Sequence, residues 1–131
     1  MAKCKVLAFL LCDRPTMDSD GKVTLHGLFD RIILPPPPAS PQPKRFFVYY
    51  KVDVGEPCTV SLRVIDPTGQ ELDGPWRDSL VDVGLVQTSW MLTSTYFEQP
   101  GHYELELREE SEGSEPFLLT RMRFVVDQGT E

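Results

Sequence analysis

Little in this sequence is suited to holding a metal, a cofactor or a disulfide. Cysteine occurs three times, at Cys4, Cys12 and Cys58, and no CxxC is present. An odd count without paired spacing argues against a disulfide framework and against a thiolate zinc site. Buried, reduced, inert thiols are expected instead, as in a reducing cytosol. Histidine occurs twice, at His26 and His102, with neither HxH nor HxxxH, so no imidazole-built metal centre is expected. Ser79, Ser89 and Ser94 stand outside any GxSxG, and no glycine-rich phosphate loop occurs. Basic residues are scarce, 13 Lys and Arg against 20 Asp and Glu, for a net charge of −7. An acidic chain repels phosphate backbones and anionic lipid surfaces, so neither nucleic acid nor membrane is an expected partner. Long apolar runs are missing too. The run at 6–12 follows Lys3 and Lys5 in the manner of a signal peptide, but Asp13, Arg14 and Pro15 end it without a small-residue cleavage site. A cytoplasmic location is the expectation.

What is present points to strands. The chain has 131 residues, one domain's worth, with 40% hydrophobic residues and 7 Phe, 4 Tyr and 2 Trp to anchor a core. Proline is abundant at 12, and prolines interrupt helices. Charge is uneven: residues 1–52 carry 8 Lys and Arg against 4 Asp and Glu, and the acidic excess lies beyond them.

Residues 3–33 read as a long hairpin turning at Asp18-Ser19-Asp20-Gly21, since Asp-Gly accepts the positive φ that a tight hairpin demands. The first arm is apolar on both faces over 6–11, which predicts a central strand covered on both sides or facing a partner. Residues 34–44 (LPPPPASPQPK) favour polyproline II and read as a stiff connection; the alternative is a PxxP ligand using Pro35, Pro38 and Pro41. In RFFVYYKVDV, Phe46, Val48, Tyr50 and Val52 share one face. In CTVSLRVI, Val60, Leu62 and Val64 point inward, Ser61 and Arg63 outward, before a β-turn at 66–69. Residues 74–85 read as irregular, with a helix possible over 78–86 and Trp76 as a core plug. Strands then recur at 86–97, in HYELELREE and in FLLTRMRFVV, leaving 128–131 as a frayed tail. About seven or eight strands with short connections predict an all-β fold: a two-sheet antiparallel β-sandwich filling residues 1–131 as one domain.

Two segments carry a resemblance. LCDRPTMDSDGKVTLHGLFDRI resembles the opening of a family of uncharacterised bacterial β-sandwich proteins, matching at Cys12, Asp13, Arg14, Asp20, Gly21, Lys22, Gly27, Phe29 and Asp30. FEQPGHYELEL is similar to that family's penultimate hairpin and to immunoglobulin-like domains, where a tyrosine two residues after a Pro-Gly turn locks a corner. The resemblance implies an immunoglobulin-like fold of bacterial, cytoplasmic origin and no particular activity. Leu105 stands where the antibody pattern has cysteine, so it implies no inter-sheet disulfide.

The candidate site is the charged group Asp13, Arg14, Asp30 and Arg31, brought together if the hairpin pairs Asp13 near Leu28 and Leu11 near Asp30. It is either a cross-strand ion-pair cluster that fixes register or a polar binding site. Asp18, Asp20, Asp66, Asp73 and Asp78 are weak calcium candidates, although the EF-hand pattern fails because Phe29 falls where its last carboxylate belongs. The function expected is that of a non-enzymatic binding or assembly module acting through sheet edges or loops, with an unidentified protein partner or a second copy of the chain. The alternative is a calcium- or small-ligand-binding domain. An enzyme using Asp13, Arg14, Asp30 and His26 is the remaining possibility. No cofactor is expected.

Overall fold

The computed structural model describes residues 3–34, 44–72, 79–110 and 115–128. Their strands are β1 (Cys4–Met17), β2 (Val23–Leu28), β3 (Arg31–Leu34), β4 (Arg45–Val54), β5 (Cys58–Ile65), β6 (Ser79–Val81), β7 (Gly84–Thr93), β8 (Gly101–Glu110) and β9 (Phe117–Gln128). A single 3-10 turn, Ser94–Tyr96, follows β7. Two sheets result, a first of order β2-β1-β4-β7 and a second of order β3-β9-β8-β5-β6. The expected all-β, two-sheet fold is the one adopted. Among the described residues there are nine strands rather than seven or eight, because the second arm of the first hairpin divides and because 79–86 forms strands, not a helix. The polyproline connection with its PxxP positions, Trp76, Asp73 and Asp78 lie outside the described residues, as do 129–131.

Period-two patterning builds the core. Phe46, Val48, Tyr50, Val52 and Val54 of β4 are buried, as are Val60, Leu62 and Val64 of β5 and Tyr103, Leu105 and Leu107 of β8. One cluster joins Leu11, Phe46, Val48 and Leu92 of the first sheet to Leu62, Tyr103, Leu105 and Phe124 of the second, so the sheets pack face to face. Ser61 takes its expected outward direction beside Arg63 but is not solvated. It is fully buried, its hydroxyl donating to Glu110 Oε1 at 2.6 Å, an oxygen that also takes the Arg63 guanidinium at 2.7 Å. Further ion pairs, Arg123 with Glu104 and Arg108 with Glu106, belong to the same outer face of the second sheet.

The first hairpin forms, with two differences. Gly21 alone takes positive φ (80°), its N–H closing the turn on the Asp18 carbonyl at 3.1 Å. The register is one residue from that expected: Cys12 faces Leu28, and the Phe29 N–H reaches the Leu11 carbonyl. Beyond Cys12, β1 pairs only with β2. The hairpin tip returns to the outer face of the first sheet, where Gln87 Nε2 donates to the Gly21 carbonyl at 3.4 Å. At Gly27 (φ 67°) the second arm begins to leave. Asp30 then gives its carbonyl to the Val125 N–H at 2.9 Å, and β3 runs parallel to β9 in the second sheet. A fully antiparallel fold was the expectation. Changing sheets instead of turning back lets a strand lie parallel to another that is distant in sequence.

The corner expected at Tyr103 is present: its hydroxyl donates to the Gln99 carbonyl at 2.7 Å, and the residue is 1% exposed. Removing the hydroxyl leaves that carbonyl with one partner fewer at nearly unchanged volume. Tyr103→Phe is therefore expected to cost about 0.5–1.5 kcal/mol in urea denaturation, with an unchanged m-value.

Candidate binding cleft and interaction edge

Where the chain changes sheets, a cleft of about 480 Å³ opens between the two layers. Phe29, Ile32, Leu34 and Phe46 give it an apolar floor, with Phe29 set edge-on to Phe46 at 5.5 Å between centroids. Asp13, Arg31, Lys44 and Ser94 supply its polar groups. An apolar cavity with a few charges at its mouth suits a ligand with an apolar body and a polar end.

Of the four charged residues singled out from sequence, the cleft gathers Asp13 and Arg31 and leaves out Arg14 and Asp30. They do not pair with one another. Asp13 meets Lys44 Nζ at 3.5 Å, and Arg31 meets Asp127. Arg14 and Asp30 form no ion pair among the described residues, Arg14 facing His26 across the ladder. The sheet change explains this, since it carries Asp30 and Arg31 away from β1 and onto β9. His26 Nε2 lies 3.0 Å from the Thr16 hydroxyl, both exposed, and His102 is exposed on β8.

Two of the calcium candidates, Asp18 and Asp66, accept hydrogen bonds within their own turns. Asp18 Oδ1 accepts the Asp20 and Lys22 N–H groups, each at 2.9 Å. Asp66 Oδ1 accepts the Thr68 hydroxyl at 2.6 Å and the Thr68 and Gln70 N–H groups. The Thr68 hydroxyl and then these backbone donors hold the Asp66 carboxyl below its ordinary value. Asp18 and Asp20 sit at the tip of the first hairpin, whereas Asp66 follows β5 of the second sheet.

One group of metal-ligating side chains does converge among the described residues, and sequence spacing gave no hint of it. Cys4 of β1, Cys58 of β5 and Glu109 of β8 bring one ligand atom each to within 4.8 Å of one another, all buried. The signal available was alternation: Glu109 continues the inward row of Tyr103, Leu105 and Leu107 by one more step. The cysteines are buried and unbridged, as expected.

The strand edges differ sharply. At the ends of the sheets, β3 has 4 residues, β6 has 3 and β2 has 6. The other end strand, β7, has 10 residues (GLVQTSWMLT), with neither a charge nor a proline. Short edges, edge charges and prolines are the usual guards against pairing with another chain, and β7 has none of them. Leu85 is 66% exposed and Met91 47% exposed along it.

A two-sheet β domain with an apolar cleft and one unguarded edge strand is the class these features define. The chain belongs to a family of unknown function, DUF6941, whose pattern matches residues 7–120. Among solved structures it is similar to the crystal structure of the C-terminal domain of wzt. That similarity has a TM-score of 0.54 at 12% identity and covers 100% of this chain and 76% of that one, which establishes a shared fold. A search of curated proteins gives no match. Among the described residues, no helix is long and apolar enough to cross a membrane.

Proposed function

We propose that the protein is a non-enzymatic assembly module of the bacterial cytoplasm that pairs with a second copy of itself through β7. The uncharged ten-residue edge carries this reading. Antiparallel pairing of β7 with β7 about a two-fold axis joins two four-stranded sheets into one of eight strands and satisfies the free backbone groups of both edges. The outer face of the second sheet supports the same reading by contrast, because it is laced with ion pairs suited to water. Three unbridged thiols fit the reducing compartment.

Light scattering after size-exclusion chromatography tests the proposal. The expected mass is that of two chains at micromolar concentration. Leu85→Lys together with Met91→Lys places charges along the edge at exposed positions, so folding is spared. The double variant is expected to run as a monomer with unaltered circular dichroism. A wild-type protein that stays monomeric at high concentration sinks the idea, and so does a dimer indifferent to both lysines.

A further inference from the structure

Glu109 occupies an unusual place for a carboxylate. It lies on the inward face of β8, is 2% exposed, and forms no ion pair among the described residues. Its Oε1 accepts the Lys3 backbone N–H at 2.7 Å and the Cys4 thiol at 3.5 Å. Cys58 completes the group, with all three ligand atoms within 4.8 Å. A buried carboxylate beside two thiols and no paired cation is costly unless positive charge is supplied. Tetrahedral zinc with ordinary bond lengths spans about 3.5 Å between a sulfur and an oxygen ligand and about 3.8 Å between two sulfurs. The observed sulfur–oxygen distance is 3.5 Å, and the remaining separations fall within a small ligand adjustment.

A second observation points to the same spot. Tyr50 is fully buried in the cluster that contains Cys4 and Cys58, and among the described residues its hydroxyl has no hydrogen bond of good geometry, the Ser79 side chain offering only a marginal one. An orphaned hydroxyl of this kind is rare in a native core and calls for a missing partner. Access exists as well: Cys4 forms part of the wall of a groove between β1 and β9, along which Phe117, Leu119 and Thr120 also lie.

We infer that Cys4, Cys58 and Glu109 bind one thiophilic divalent cation of the zinc class, with Tyr50 Oη or a water it holds in the fourth position. Two thiolates with one carboxylate suit zinc better than magnesium or calcium, which prefer all-oxygen sites. The ion ties β1 of the first sheet to β5 and β8 of the second at one end of the sandwich. Binding releases the thiol protons.

The test uses the reduced full chain, freed of metal and titrated with Co²⁺ and then Zn²⁺. One equivalent of Co²⁺ is expected to give thiolate charge-transfer absorption with the visible bands of a tetrahedral site, and Zn²⁺ is expected to displace it. Zinc should slow the reaction of Cys4 and Cys58 with a thiol reagent relative to the metal-free chain and raise the melting temperature. Cys4→Ser or Cys58→Ser should abolish the charge-transfer signature, and Cys12→Ser should leave it intact. The wild-type spectrum and thiol reactivity decide the matter even if a variant fails to fold. Absence of thiolate absorption in the reduced wild type overturns the inference. So does unchanged binding by either serine variant, or reaction of Cys4 and Cys58 at the same rate with and without zinc.

Discussion

Phe97→Ala is expected to lower the stability of the protein by about 3–5 kcal/mol, a large share of what a domain of this size possesses. Phe97 follows the 3-10 turn after β7 and is fully buried. Its ring lies 5.1 Å from Tyr103 and 5.1 Å from Phe124, both edge-on, and 5.5 Å from Phe46. Phe46 belongs to the first sheet, Tyr103 and Phe124 to the second, so one side chain from a connection joins the two layers. Truncation removes the transfer free energy of the ring and leaves a cavity whose walls belong to separate sheets and cannot easily collapse. Phe97→Leu keeps most of the volume and should cost roughly 1–1.5 kcal/mol. Urea denaturation measures both, with the midpoint falling and the slope unchanged. A cost under about 1 kcal/mol for the alanine variant means that the walls do close, and that the layers are held together elsewhere.

Much of this architecture was legible because burial imposes a period of two. The inward rows of β4, β5 and β8 could be read directly from Phe46 to Val52, from Val60 to Val64 and from Tyr103 to Leu107, and each is buried. Turn chemistry was equally readable at Gly21 and Gly69, whose N–H groups close on Asp18 and Asp66. The sheet change was not. Arg31, Ile32, Ile33 and Leu34 have the composition of a continuing hairpin arm, and nothing local distinguishes pairing with β1 from pairing with β9, 94 residues away along the chain. For the same reason the four charges at 13, 14, 30 and 31 looked like one cluster and became two separate pairs with Lys44 and Asp127, with Arg14 and Asp30 in no ion pair among the described residues. The Cys4, Cys58 and Glu109 group was hidden differently. Each of its members is ordinary in its own strand, and only the stacking of two sheets brings them together. The edge status of β7 was likewise beyond reach, since a strand's sequence does not state whether it has one neighbour or two.

Gly27 is where the chain decides between turning back and changing sheets, and Gly27→Ala is expected to cost about 2–3 kcal/mol for two separable reasons. The first is backbone: φ is +67°, a region where an alanine is strained by roughly 1–2 kcal/mol. The second is contact: a Cβ at this position would stand 2.2 Å from Asp13 Oδ2 and 2.8 Å from its Cγ. That carboxylate is the end of a flexible side chain, so it can swing away, but doing so gives up its exposed pairing with Lys44, worth at most about 1 kcal/mol. Asp13→Ala removes the two carboxylate contacts, keeping only its own Cβ at 3.2 Å, and leaves the backbone strain. In that background Gly27→Ala should cost only about 1–2 kcal/mol, and the double-mutant cycle should show a coupling of roughly 0.5–1 kcal/mol. Equal costs in both backgrounds would mean that Asp13 moves freely and the glycine is required by its dihedral angle alone. A cost near zero in both would show that the chain can reach the second sheet by another backbone path. Asp13 and Gly27 also line the cleft. The cycle therefore separates the part of that opening that is needed for folding from the part that remains available to bind.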